Sequence, residues 1–468
     1  MSSLIQKSLD TMLSKGHARR LSPVENFFAL AQRQKLYKNF TMVVKFKNKI
    51  NNKGLLYHAV KKIIFQNPLM GCTVVNTDYS DLVTPKPQHD YIKILDKLKF
   101  KDLFIDGGNV PKEAAKRMEY INDIVLPYGH GHPFWKLIIL DDFTLGYISN
   151  HISSDGITAK NFFQDLQHQL TKLSSTNSIP EIDYDNELIL DYQTDQHLLP
   201  TLPPALDSII SHKPPLWYYP EFLYTMYKIS KTCELIQPTI NHAHHYKSIK
   251  IPPEQLSQIQ KMIKSNNVTM TPYLETAWLV SQKQINLLGN TSNVDIITAV
   301  DTRHYISSDV DREKYRYGLH ACSTHTYWEI MNDFKWSSVR DVHKYMKWGV
   351  STKRALFRLG FITSDKLANK HNLDGFFKDK LKQGKKGNTM FSNVGVVNNS
   401  NGEFAFEDVV FAQHMNGTYF KFCFCCATDL LNGGLNIVVS VPKCDIDEDE
   451  LDLLMKQFEQ NVIQGCKE

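Results

Sequence analysis

The sequence predicts an α/β (α+β) protein built from two similar halves, and three observations carry that prediction. Segments with apolar residues at helical spacing alternate with runs of β-branched and aromatic residues along most of the 468 residues. Pro200, Pro203, Pro204, Pro214, Pro215 and Pro220 crowd one stretch near the middle, which marks a linker or crossover. The alternation then resumes, with no internal repeat at solenoid periods. The expected organisation is a first half over 1–200, a proline-rich and aromatic crossover over 201–245, and a second half over 246–468.

Taken in order, Leu4, Ile5, Leu9, Met12 and Leu13 share helical spacing, with Lys7, Lys15, Arg19 and Arg20 beside them. A short basic amphipathic helix can rest on an anionic membrane, so residues 4–13 are where a peripheral membrane contact is expected; docking on its own domain is the alternative. Ser22-Pro23 opens a second helix, a capping residue followed by proline in the first turn. Residues 40–46 read as a strand. Leu55, Leu56, Ala59, Val60, Ile63 and Ile64 form a helix that stops before Asn67-Pro68, since proline disfavours helical backbone in the residue before it. A short strand follows at 71–75. Residues 134–140 and 143–150 form a hairpin around an Asp141-Asp142 turn. Phe162, Leu166, Leu170 and Leu173 then repeat on one helix face.

The stretch 216–227 is dense in aromatics. Channel lining, membrane contact and domain-interface core all suit it, and core is the preferred reading. Helices are expected at 256–263 and 271–284, a strand at 294–300 and a basic helix at 339–350. Strands at 391–397, 419–426 and 435–441 come next, and a last helix starts near Asp445.

Apolar residues at 42% and charged residues at 22% exclude a disordered, collagenous or coiled-coil chain. No apolar run is long enough to span a membrane. The N-terminus lacks the pattern of a secretory signal, so the eight cysteines are expected as reduced thiols facing the cytosol. A net charge of +5 does not call for nucleic acid. The charge is uneven, however. From Arg340 to Lys386 there are thirteen Lys/Arg against four Asp/Glu, for which a solvated helix face is the ordinary explanation.

Phosphate-binding loops, dinucleotide fingerprints, zinc-protease helices and nucleophile elbows are absent as motifs. Cys423, Cys425 and Cys426 fall inside an apolar strand and read as small core residues. His130 with His132, and His242 with His244 and His245, lack the convergent ligands of a metal site, so no metal is expected. One motif remains: His151-Ile152-Ser153-Ser154-Asp155-Gly156. Chance gives about 0.05 occurrences of H-x-x-x-D-G in such a chain. His151 ends a strand, where a side chain faces an edge or cleft, and Asp155-Gly156 turns into the following helix, where glycine's freedom suits a tight turn. A buried, hydrogen-bonded histidine is the bland alternative.

With that motif the chain resembles the acetyl-CoA-dependent acyltransferases built like chloramphenicol acetyltransferase and nonribosomal condensation domains, and among them the fungal alcohol O-acetyltransferases. The resemblance covers nearly the whole chain. It includes Leu21-Ser22-Pro23-Val24-Glu25, Asn67-Pro68-Leu69, Pro133-Phe134-Trp135, Val300-Asp301-Thr302-Arg303 and Phe391-Ser392-Asn393-Val394-Gly395. The D-F-G-W-G of the plant branch is absent.

The resemblance implies two chloramphenicol-acetyltransferase-like domains with a channel between them. It implies acetyl transfer from acetyl-CoA, a cosubstrate rather than a bound cofactor, to an amine or hydroxyl of an amphiphilic acceptor. N-acetylation of a sphingoid-like amino alcohol is the preferred expectation, and O-acetylation giving acetate esters the alternative. A binding protein on a degenerate scaffold and a condensation enzyme on carrier-bound thioesters are the rivals. His151 is implied as general base and Asp155 as the residue that shapes its loop, paired with Arg303. Ser392 and Asn393 stand where oxyanion donors would, with strand-edge capping as their other reading. Lys382, Lys385 and Lys386 in a glycine-flanked loop are candidates for the phosphates of coenzyme A, and a plain surface loop is as good a reading. A monomer at a cytosol-facing location, peripheral to endoplasmic reticulum or lipid droplets, completes the expectation.

Overall fold

The computed structural model describes residues 2–33, 36–50, 52–76, 90–105, 107–127, 129, 131–175, 180–232, 234–235, 243–289, 291, 293–362, 385–415 and 420–465. The first half is organised by a sheet in which Phe104–Ile105, Trp135–Ile139, Thr144–Ser149 and Tyr37–Phe46 lie side by side. The hairpin forms where the apolar runs predict it, its turn closed by the Phe143 amide donating to Asp141 Oδ1 at 2.8 Å. Helix Lys53–Gln66 is capped by Asn52, whose Oδ1 accepts from the Leu55 amide at 2.9 Å, and it ends at Asn67 before proline. Together with helix Gly156–Ser174 it covers one face of the sheet, and Phe46, Trp135, Tyr147, Phe162 and Phe163 fill the space between.

The second half carries a mixed sheet in the order His244–Ile251, Gly434–Pro442, Phe420–Asp429, Lys385–Val396, Asn293–Asp301, Ala321–Glu329. Its central strand Lys385–Val396 runs parallel to both neighbours. Its neighbour Phe420–Asp429 is buried on both faces along nearly its whole length, which explains the apolar run containing the cysteines. Cys423 and Cys425 face the first half's core, while Cys426 faces the core under the helices of the second.

Strand Phe406–Met415 leaves the second half and pairs antiparallel with Tyr37–Phe46 of the first. It places Phe406, Val409 and Phe411 in the first half's core, so the two halves share one sheet edge.

Three expectations change. The N-terminal helix Ser2–Ser14 docks inward through Leu9 and Met12, each 1% exposed, so these two residues of the stripe are unavailable to a membrane. The aromatic stretch is not interface core. It enters helix Tyr218–Thr232, which buries Tyr218 and Ile229 but exposes Tyr219, Leu223, Tyr224 and Tyr227, because one helix face of a stretch aromatic all round must point outward. The lysine loop ends earlier than expected: Lys385 and Lys386 are already strand, paired with Leu235 and Glu234. Gly387 is no hinge there, since a Cβ on it would meet Phe420 at 2.6 Å and Asp295 at 2.7 Å. Lys382 lies outside the described residues.

Candidate active site

His151 follows the strand Thr144–Ser149 and starts the turn into helix Gly156–Ser174. The turn is held by Asn150, whose Oδ1 accepts from the Ile152 amide at 3.0 Å. His151 Nδ1 lies 2.7 Å from the Ser154 carbonyl oxygen. A carbonyl only accepts, so Nδ1 carries the proton and Nε2 keeps its lone pair. The ring is boxed by Phe28, Tyr37 and Phe40, with centroids at 4.5, 5.2 and 5.3 Å. Burial pushes the imidazole below its ordinary 6.5, and the charge of Asp155 offsets only part of this, so the ring is neutral at neutral pH. A neutral imidazole with Nε2 unprotonated is a ready proton acceptor.

Asp155 does not touch His151 Nδ1, so this is no Ser-His-Asp-type relay. Its Oδ1 caps the helix by accepting from the Thr158 amide at 2.7 Å. Arg303 Nη1 donates to Oδ2 at 2.9 Å and Nη2 to Oδ1 at 3.3 Å, and the His320 amide donates to Oδ2 at 2.9 Å. The guanidinium is equally well used. Its Nε donates to the Tyr315 carbonyl at 2.7 Å, and Nη1 also reaches Asp301 at 3.0 Å. Burial alone would raise the carboxyl pKa, but Arg303 and the amide donors hold it down to about 2. The pair thus stands ionised with its donors and acceptors met, the condition under which burying two charges is tolerable.

Further along the same helix, Thr158 Oγ1 donates to the Gly318 carbonyl at 2.9 Å and Asn161 Nδ2 to the Arg316 carbonyl at 2.7 Å. Asp165 accepts both arms of Arg316, at 3.0 and 2.7 Å, and the Tyr317 hydroxyl at 2.7 Å. One face of the site helix is therefore fastened to segment 315–320 of the other half. Gly318 sits at φ +135°, where a Cβ would meet His320 Nε2 at 2.4 Å. Gly156 has a different reason for being glycine than the turn predicted. It lacks a positive φ, and a Cβ there would lie 2.6 Å from Val394 of the second half.

Val394 brings strand Lys385–Val396 against the start of the site helix. Ser392 shares its face by the two-residue period of a strand. Asn393 points the other way: its Nδ2 donates to Thr271 Oγ1 at 3.1 Å, and its Oδ1 accepts from the Gly395 amide at 2.8 Å in a bulge.

Other groups beside the site lie outside the H-x-x-x-D-G segment. Arg19 grips Glu25 with two hydrogen bonds of 2.8 and 2.7 Å. Glu25 closes a reciprocal cap with Ser22, and this Ser-x-x-Glu spacing was the available clue. Arg19, Glu25, Thr302, Gly318 and His320 line one crevice. Tyr37, against the His151 ring, donates to Gln413 Oε1 at 3.4 Å. Gln413 Nε2 and the Tyr246 hydroxyl are buried without a hydrogen-bond partner among the described residues.

The buried histidines set an acid limit on stability. Burial, then the charge of Arg303, pushes His320 from 6.5 down to about 3, and burial holds His414 well below its ordinary value. Both stay neutral in the folded protein while the unfolded chain takes up protons below about pH 6.5, so stability falls as pH drops through that value. Each such histidine costs about 1.4 kcal/mol per pH unit. Urea unfolding at about pH 7 and pH 5 should show the loss, and His320→Asn should shrink it; equal stability at the two values would refute this account.

The profile of the alcohol acetyltransferase family matches residues 20–462. The chain belongs to that family. It is 26% identical to alcohol O-acetyltransferase 2 of Saccharomyces cerevisiae, over 96% of each chain, and 27% identical to alcohol O-acetyltransferase 1 of the same yeast, over 94% and 93%. Among solved structures it resembles the trichothecene 15-O-acetyltransferase of Fusarium sporotrichioides, with TM-score 0.66, 14% identity and coverage of 95% and 94%. It also resembles the first condensation domain of the CDA synthetase, with TM-score 0.62, 12% identity and 96% of each chain covered. The fold of this alcohol acetyltransferase family member is thus the condensation-like acyltransferase fold, and the protein is an acetyltransferase. Membership in the family brings acetyl-CoA as cosubstrate. No helix among the described residues is long and apolar enough to cross a membrane.

Proposed function

We propose that the protein transfers acetyl from acetyl-CoA to the hydroxyl of an amphiphilic alcohol, with His151 Nε2 as the base. The observation that carries this is the fixed, neutral imidazole with its proton on Nδ1. Nε2 takes the hydroxyl proton as the oxygen attacks the thioester carbonyl carbon. The C–O bond forms, the carbonyl becomes an oxyanion, and its collapse expels the coenzyme A thiolate. The imidazolium returns the proton to that sulfur. Ser392 is the donor we assign to the oxyanion, because it shares the strand face that meets Gly156; such a donor contributes about 10²–10³-fold. Asn393 is assigned to the strand bulge. Phe28 and Phe40 suit an apolar skeleton beside the reacting hydroxyl, and Gln413 Nε2 with the Tyr246 hydroxyl supplies polar groups for a second polar atom of the acceptor.

The hydroxyl is preferred to the amine because both yeast relatives are named for alcohols. N-acetylation of a sphingoid-like amino alcohol uses the same proton path and belongs in the same assay. Purified full-length protein is incubated with acetyl-CoA and a panel of alcohols and sphingoid-like amines, with thiol release and product mass as readouts. Acetate esters are expected. Amides alone would overturn the hydroxyl assignment, and no transfer without a carrier-bound thioester would overturn the reading as a whole.

A further inference from the structure

One surface is unused by the chemistry above. Helix Tyr218–Thr232 and the residues before it expose Leu216 at 89%, Leu223 at 66%, Tyr227 at 60% and Trp217 at 52%. The patch continues onto helix Trp336–Ser351 through the Arg354 guanidinium, which lies 4.8 Å from the Trp217 ring and 3.7 Å from that of Trp348. Cations edge it: Lys228 Nζ lies 4.8 Å from the Tyr224 ring and Lys231 Nζ 5.3 Å from that of Tyr227. Residues 216–232 and 336–362 hold eight Lys/Arg against two Asp/Glu, a surplus larger than the +5 of the whole chain. A merely solvated face needs the charges but not the aromatics and leucines.

We propose that this face docks the protein on an anionic phospholipid surface. Tyrosine and tryptophan settle at the headgroup level, leucine enters the acyl boundary, and each nearby Lys or Arg strengthens partitioning several-fold. Charge selects this occupant over a second copy of the chain, since a two-fold contact would press like-charged patches together. The exposed leucines select it over a nucleic acid, which offers stacking faces and phosphates but no aliphatic layer to Leu216 and Leu223. The docking is independent of the acetyl-transfer reading, and its assay contains no acetyl-CoA.

The test is cosedimentation of the full chain with vesicles of phosphatidylcholine alone and of phosphatidylcholine with phosphatidylserine. Wild type should sediment with the serine-containing vesicles and come off in high salt. Leu223→Asp with Tyr227→Asp should cut partitioning by about tenfold or more, and so, separately, should Lys228→Glu with Lys231→Glu. These side chains are exposed or edge groups outside the site, so melting temperature and turnover of a water-soluble alcohol should stay at wild-type values. The lysine pair decides the question if the first pair loses its fold. Wild type that ignores both vesicles, variants that sediment like wild type, or a wild-type dimer that the Asp variants dissolve would each overturn the proposal.

Discussion

His151→Ala should lower kcat by about 10²–10⁴-fold while the protein still folds. The size follows from what is lost. Without Nε2 the attacking oxygen must shed its proton to water, while oxyanion stabilisation and substrate binding persist, so KM should move little. The fold should survive because the ring's hydrogen bond is local, to Ser154 three residues on, while Phe28 stays packed on Tyr37 and Phe40 on Tyr147 and Phe411. Loss of that one bond costs about 1 kcal/mol, within reach of a melting curve. The pH profile adds a readout that a packing role would not move. Since burial depresses the His151 pKa, the acid limb of wild-type kcat/KM should lie below 6.5. Residual turnover within a few-fold of wild type, or an acid limb above that value, would remove His151 as the base.

Much of this was legible because it is local. The hairpin, the helix behind it and the turn carrying His151 follow from alternation, a two-aspartate turn and an H-x-x-x-D-G segment, all within about forty residues of chain. Strand Phe406–Met415 was not legible. Its partner Tyr37–Phe46 is far away in sequence, and Gln413 and His414 side by side blur the alternation that marks a half-buried strand. The Tyr37, Gln413 and Tyr246 cluster was hidden with it, since those residues meet only once that strand has crossed over. The glycines show the same limit. Gly156 sits in a recognisable motif, yet what excludes a side chain there is Val394, from the other half of the chain. Gly318 belongs to no motif at all, and its φ is visible only in three dimensions. Arg303 came into view through the resemblance, not through spacing, because nothing local joins residues so far apart.

The pairing of Asp155 with Arg303 yields the second large expectation. Arg303→Met should destabilise the protein by about 3–5 kcal/mol at neutral pH, since it strands a buried carboxylate that keeps only the amide donors of Thr158 and His320. Asp155→Asn keeps a capping side chain and strands the guanidinium instead, which still has Asp301 and three carbonyls, so its cost should be smaller. The double variant should be less destabilised than the sum of the two, and that coupling is the mark of a direct pair. The pH dependence separates it from general damage. In wild type the Asp155 pKa lies at about 2, below the ordinary 3.8, so the carboxylate contributes stability above that value and loses it as pH falls toward 2. Without Arg303, burial dominates and the folded-state pKa should move above the ordinary value. The sign then reverses: the folded state prefers the protonated acid, and the penalty of Arg303→Met should grow as pH rises from about 4 to 7. Activity should fall together with stability, because the pair fixes the loop that aims His151 and fastens it to segment 315–320, with no selective change in KM for acetyl-CoA. Additive single-site losses, or a penalty flat across that pH range, would mean that the ion pair is not what holds the loop.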